Sequence, residues 1–111
     1  MGLSTHILDT TQGQPAADVL IELARLSGDD WQEIGSGATD ADGRCATLLG
    51  DSPLDEATYR LRFATGAYYE AQYVTGLYPF VDIVFIVTDT DRHYHIPLLL
   101  TANGYTTYRG S

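Results

Sequence analysis

Apolar side chains recur at every second position along most of this chain. Between Asp18 and Leu26, Val19, Ile21 and Leu23 fall on one side, with Asp18, Glu22, Ala24 and Leu20 on the other. Between Tyr59 and Thr65, Tyr59, Leu61 and Phe63 alternate with Arg60 and Arg62. From Phe80 to Val87, Val81, Ile83, Phe85 and Val87 share a face opposite Asp82. A period of two is that of a half-buried strand, because successive side chains on an extended backbone point to opposite faces. Each of these segments is therefore a predicted strand. Ser4 to Asp9, a segment beginning near Trp31, Tyr94 to Leu100 and Tyr105 to Ser111 are further candidates.

Turn chemistry separates the runs. Thr10-Thr11-Gln12-Gly13-Gln14-Pro15 follows the first strand, and Gly28-Asp29-Asp30 follows the second. Asp42-Gly43 and Asn103-Gly104 read as two-residue hairpin turns, since both residue types tolerate positive φ. One stretch, Gly66 to Tyr73, lacks alternation and places Tyr69 and Tyr73 on one helical face. It predicts a short helix that ends by Gly76, before Pro79 opens the next strand. About eight short strands at this spacing, with one helix, predict an all-β fold: an antiparallel sandwich of two sheets.

The 111 residues make a single domain, 1–111, large enough to hide one core. Cys45 is the sole cysteine, so no internal disulfide framework exists. No apolar run approaches the roughly 18 residues a membrane helix needs. Met1 to His6 shows no basic flank and no secretory signal, and a cytoplasmic location is the expectation. With 15 acidic and 6 basic side chains the formal charge is −9, a field that repels phosphates and argues against nucleic acid as a partner. Every basic residue is an arginine, which excludes Schiff-base and P-loop lysine chemistry. An anionic small molecule would have to be met by Arg25, Arg44, Arg60, Arg62, Arg92 or Arg109.

Few side chains are left for catalysis. His6 shares a strand face with Ser4 and Leu8; His95 shares one with His93, Pro97 and Leu99. Arg44 follows the Asp42-Gly43 turn and opens a strand, and Arg109 lies on a face with Tyr105, Thr107 and Ser111. Each has an ordinary structural reading: a hydrogen-bonded strand histidine, a solvated arginine, a frayed chain end. His93 and His95 point the same way and suggest a zinc pair, but the spacing signals no third ligand. The residues alone give a β-sandwich with a candidate His/Arg site and no metal or cofactor motif.

Longer blocks narrow this. Ser4-Thr5-His6-Ile7-Leu8-Asp9-Thr10-Thr11-Gln12-Gly13-Gln14-Pro15-Ala16, Thr39-Asp40-Ala41-Asp42-Gly43-Arg44 and His93-Tyr94-His95-Ile96-Pro97-Leu98-Leu99-Leu100 occur in this order. The chain closes with Gly104-Tyr105-Thr106-Thr107-Tyr108-Arg109-Gly110-Ser111. Together they resemble the 5-hydroxyisourate hydrolase family, transthyretin-related enzymes of urate breakdown. The resemblance implies a transthyretin-like sandwich that opens the N1–C6 cyclic amide of 5-hydroxyisourate, a purine-derived small molecule, without a cofactor. It implies catalytic roles for His6 and His95, and substrate binding by Arg44. It also places the terminal Tyr108, Arg109, Gly110 and Ser111 at the site, Ser111 acting through its hydroxyl or its carboxylate. It further implies a homotetramer, a dimer of dimers, with sites in the channel between dimers. Transthyretin itself lacks these histidines and this ending.

The sequence departs from the family in loops. Thr101-Ala102-Asn103-Gly104-Tyr105-Thr106 stands where Ser-Pro-Tyr-Gly-Tyr-Ser is frequent, and Leu77-Tyr78-Pro79 replaces Phe-Tyr-Pro. Competing readings are a non-catalytic transthyretin-like binding module, an immunoglobulin-like domain of a larger extracellular protein, and a zinc hydrolase using His93 and His95.

Overall fold

The computed structural model describes residues 2–110, and within them the period-two segments are extended strands. In chain order these are β1 (Leu3–Asp9), β2 (Gln14–Pro15), β3 (Leu20–Ser27), β4 (Asp30–Ala38) and β5 (Arg44–Cys45). They are followed by β6 (Ala57–Phe63), helix α1 (Thr65–Glu70), β7 (Val81–Val87), β8 (Tyr94–Thr101) and β9 (Gly104–Thr107). One sheet has the order β2-β1-β8-β9, with β5 also paired to β1; the other has the order β4-β3-β6-β7.

The alternation sets which side chains form the core. Val19, Ile21, Leu23, Tyr59, Leu61, Phe63, Val81 and Val87 from one sheet meet Leu3, Ile7, Ile96, Leu98 and Leu100 from the other, all buried. Fully hiding one such aliphatic or aromatic side chain contributes about 1.5–3 kcal/mol. Ala24, assigned by alternation to the outer face, is buried as well. Its cross-strand neighbours there are Glu33 and Arg60, and the Arg60 guanidinium lies over the Trp31 ring.

Other details also differ from the sequence expectation. The β1–β8 pair runs parallel, although the other strand pairs are antiparallel. These two strands are joined through the opposite sheet, so no hairpin sets their direction. The Asp42-Gly43 turn does not close a hairpin either: it carries the chain from β4 in one sheet to β5 in the other. Only Gly43 uses positive φ there, at 76°. The last hairpin turns at Ala102-Asn103, one residue earlier than read, with Thr101 paired to Gly104. Neither turn residue has positive φ; the Thr101 hydroxyl instead accepts the Asn103 N–H at 3.2 Å.

The predicted helix is present as α1 but stops at Glu70; Tyr73, read as sharing its face with Tyr69, lies beyond it with φ 60° and its side chain exposed. Buried Tyr69 anchors the helix to the core, and the Tyr68 hydroxyl donates to the buried Asp9 carboxylate at 2.9 Å. Asp9 also accepts the main-chain N–H of Thr11 and Gln12, which secures the end of β1.

Candidate active site

The outer face of the β1–β8 sheet carries the chemistry. On β1 the inward residues Leu3, Thr5, Ile7 and Asp9 are buried, which turns Ser4, His6 and Leu8 outward. β5 sets Arg44 directly across from His6, and β8 sets His95 directly across from Ser4. His6, Arg44 and His95, far apart along the chain, thus fall on three adjacent strands.

The turn before β5 holds this arrangement. The Asp40 carboxylate accepts the N–H groups of Asp42 and Arg44, at 2.9 and 3.0 Å. Gly43 packs with its α-carbon against β1: a Cβ there would collide with the Ile7 carbonyl oxygen. The Asp42 carbonyl, exposed by the same turn, lies 2.9 Å from His6 Nε2. A carbonyl only accepts, so Nε2 carries the hydrogen and Nδ1 is the open acceptor of the neutral ring.

His95 is half-buried. Its Nδ1 lies 2.8 Å from the Ser4 hydroxyl oxygen, which is also 2.7 Å from His93 Nε2. Burial holds the His95 imidazolium below its ordinary pKa of 6.5, and the positive fields of His6, Arg44 and His93 act in the same direction. The Ser4 main chain opposes the shift. The shift favours the neutral imidazole of His95 near pH 7.

Arg44 differs from most of the other arginines. Arg62 makes a two-pronged bond to Asp82 at 2.8 and 2.9 Å, Arg25 stands 3.5 Å from Asp55, and Arg60 lies over Trp31. Arg44 makes no ion pair among the described residues and stays exposed beside His6. An unpaired planar guanidinium is suited to two parallel hydrogen bonds with an anionic or imide-like edge.

The terminal segment divides. The Gly110 N–H donates to the His95 carbonyl at 2.9 Å, and its α-carbon lies against the imidazole. A Cβ at position 110 would sit 2.5 Å from His95 Cδ2. Arg109 turns the other way and lies over the Tyr94 ring, 4.6 Å from its centroid. With Tyr108 it lines a cavity of about 230 Å³ between β7 and β8, away from His6. Ser111 lies outside the described residues.

Two residues that the sequence reading did not place in the site enter it here. Ser4 was noted only as a strand neighbour of His6, and Asp42 only as a turn residue. A strand serine carries no motif, and its contact with His95 depends on the parallel register. His93 Nε2 and His95 Nδ1 converge on one hydroxyl, and among the described residues no group of three or more His, Cys, Asp or Glu side chains gathers as a metal site.

One cavity among the described residues, of about 260 Å³, lies between Leu20 and α1. The His/Arg cluster lies on the outer face of a single sheet.

Known proteins share this architecture. A 5-hydroxyisourate hydrolase of Mus musculus is 41% identical over 111 residues, covering 98% of this chain and 94% of that protein. The structure of a Klebsiella pneumoniae 5-hydroxyisourate hydrolase superposes with a TM-score of 0.88 at 34% identity, with all of both chains covered. A sea bream transthyretin in complex with thyroxine superposes at 0.92 with 32% identity, over 99% of this chain and 95% of that one. The sandwich is thus common to a hydrolase and a thyroxine-bound transthyretin. Residues 3–110 match the HIUase/Transthyretin family along nearly the whole sequence, and the chain belongs to that family.

Proposed function

We propose that this protein is a hydrolase of 5-hydroxyisourate, opening the N1–C6 bond of its cyclic amide by attack of water at the C6 carbonyl. The observation that carries the reading is the cross-strand placement of His6 beside Arg44, with His95 on the next strand of the same open face. Mouse and Klebsiella relatives named for this activity support it.

The reaction needs a base for water, a positive charge for the developing oxyanion and an acid for the leaving nitrogen. His6 and His95 share the proton work, each ring with one nitrogen tied to the protein and one open to substrate. Positioned acid–base groups give roughly 10²–10⁴ in rate. Arg44 clamps the polar edge of the substrate and offsets the repulsion of a chain with net charge −9. The Gly110 main chain backs His95. Arg109, held over Tyr94, orders the tail that brings Gly110 to His95 and leads to Ser111, the proposed last member of the site. No electrons are exchanged, so the chemistry calls for no cofactor.

A one-walled site needs a second wall. A homotetramer, a dimer of dimers, supplies it by facing two such sheets across a channel, and it covers the unpaired edges of β7 and β9. No helix among the described residues is long and apolar enough to cross a membrane.

The high overlap with a thyroxine-bound transthyretin favours one other reading, a non-catalytic small-ligand binding protein. The two separate in one assay. Freshly generated 5-hydroxyisourate is followed by its ultraviolet absorbance with the full chain and with a chain lacking Tyr108 to Ser111. Rapid decay with the full chain and slow decay with the shortened one is expected. Decay at the uncatalysed rate with both leaves the binding protein.

A further inference from the structure

The hydroxyl of Ser4 contacts two imidazoles at once, at 2.7 Å from His93 Nε2 and 2.8 Å from His95 Nδ1. It has one hydrogen and two lone pairs. It can donate to only one ring, so the other ring must supply an N–H. For two neutral rings this locks the tautomers together. With hydrogen on His95 Nδ1, His93 Nε2 is the acceptor, and the far nitrogen of His95 is a lone pair able to take a proton from water. With hydrogen on His93 Nε2, His95 Nδ1 is the acceptor, and the far nitrogen of His95 carries a hydrogen to donate.

The contact is built into the sheet. Ser4 and His95 are register partners on β1 and β8, and their inward neighbours Leu3, Thr5, Tyr94 and Ile96 are buried. Around them, the titratable and charged groups facing His95 are His6 on β1, Arg44 on β5 and His93 beside its own strand. His95 is half-buried and His93 is exposed, so the three groups lead from the candidate site to solvent.

We propose that Ser4 is a positioning residue of the hydrolytic reaction, its hydroxyl joining His95 to His93 so that one proton shifts between the rings and the charge His95 gains from water is held on His93 until His95 protonates the leaving nitrogen. The proposal rests on the hydrolase reading and deepens it. After His95 takes a proton from water at Nε2, its Nδ1–H bond breaks and that proton binds Ser4 Oγ. The original Ser4 hydrogen passes to His93 Nε2. Ser4 is again a neutral hydroxyl, and one positive charge has moved from His95 to His93, away from Arg44. When His95 Nε2 then protonates the leaving nitrogen, the same path runs in reverse and restores hydrogen to Nδ1. The arrangement returns to its starting tautomer with no net proton gained.

The test compares Ser4→Ala, Ser4→Thr and His93→Gln with the unaltered chain, by steady-state kinetics across pH and by ¹⁵N spectroscopy of the imidazoles. Ser4→Ala is expected to lower kcat by roughly tenfold or more while KM changes little, and to move the acid limb of the pH profile. Ser4→Thr, which keeps the hydroxyl, should recover most of the loss. His93→Gln keeps a hydrogen-bonding group but holds no extra proton, and should lose kcat like Ser4→Ala. In the unaltered chain the two rings should titrate as a coupled pair, and in Ser4→Ala independently. Native kcat in a folded Ser4→Ala overturns the proposal. If that variant fails to fold, native kcat in His93→Gln, altered at an exposed position, overturns it equally. An unaltered chain inert toward 5-hydroxyisourate defeats the hydrolase reading itself. The spectroscopic arm still decides the link, since rings that titrate independently in the unaltered chain refute it.

Discussion

At the scale of single residues, the proposed reaction needs His95 neutral before it takes a proton. Its pKa is lowered first by burial and then by His6, Arg44 and His93. If His95 is the base, the acid limb of kcat/KM lies below the ordinary imidazole value of 6.5. The sign for stability follows from linkage. The folded pKa is below the unfolded one, so the unfolded chain binds more protons between them. This contribution is fully present above about pH 6.5 and is lost as the pH falls through the folded value. Arg44→Ala removes one of the opposing charges and should raise the His95 titration midpoint, read by NMR. An unchanged midpoint would mean that the guanidinium does not act on the ring. His95→Asn is expected to cost more than about tenfold in turnover with little change in Tm, because the ring lies on the outer face. Both histidines and Arg44 were legible as candidates from their sequence blocks. Ser4 was not, because its partner His95 meets it only through strand register.

At the scale of elements, the turn from Asp40 to Gly43 and the tail at Gly110 do the positioning. The turn was legible from Asp-Gly chemistry, but not its destination: residue propensities describe a bend and not which sheet the chain enters next. The tail's contact with His95 is tight enough to test directly. In Gly110→Ala the new methyl would fall 2.5 Å from His95 Cδ2, so the imidazole must move. A displacement near 1 Å at a catalytic group can cost about 10²-fold. The expected result is a large fall in kcat, measured by the absorbance assay, with a Tm close to that of the unaltered chain. Full activity would show that the ring's position is not critical. The helix was readable because Gly66 to Tyr73 lacks alternation. Its tie to β1 through Tyr68 and Asp9 is a tertiary contact that no local pattern announces.

At the scale of the whole molecule, the open site and the exposed edges point to assembly. Val84 and Ile86 on edge strand β7 are 56% and 66% exposed, with apolar side chains turned from the core. An unpaired apolar edge invites pairing with another copy. Sedimentation at micromolar concentration is expected to give the mass of a tetramer. Ile86→Glu should give smaller species with reduced activity, since a charge buried in such a contact is costly. A monomeric unaltered chain with full turnover would contradict the two-walled site.

Sequence by itself determined most strand faces, much of the core and the short helix, because period-two burial and turn chemistry are local properties; it offered His6, Arg44 and His95 as candidates through the family blocks that carry them. Tertiary structure decided the rest. The parallel β1–β8 register put Ser4 against His95, the crossing to β5 put Arg44 beside His6, and the tail bridge put Gly110 on the imidazole while sending Arg109 to Tyr94. Each of these joins segments distant along the chain, and such pairings are selected by the packing of two whole sheets and not by the residues on either segment alone.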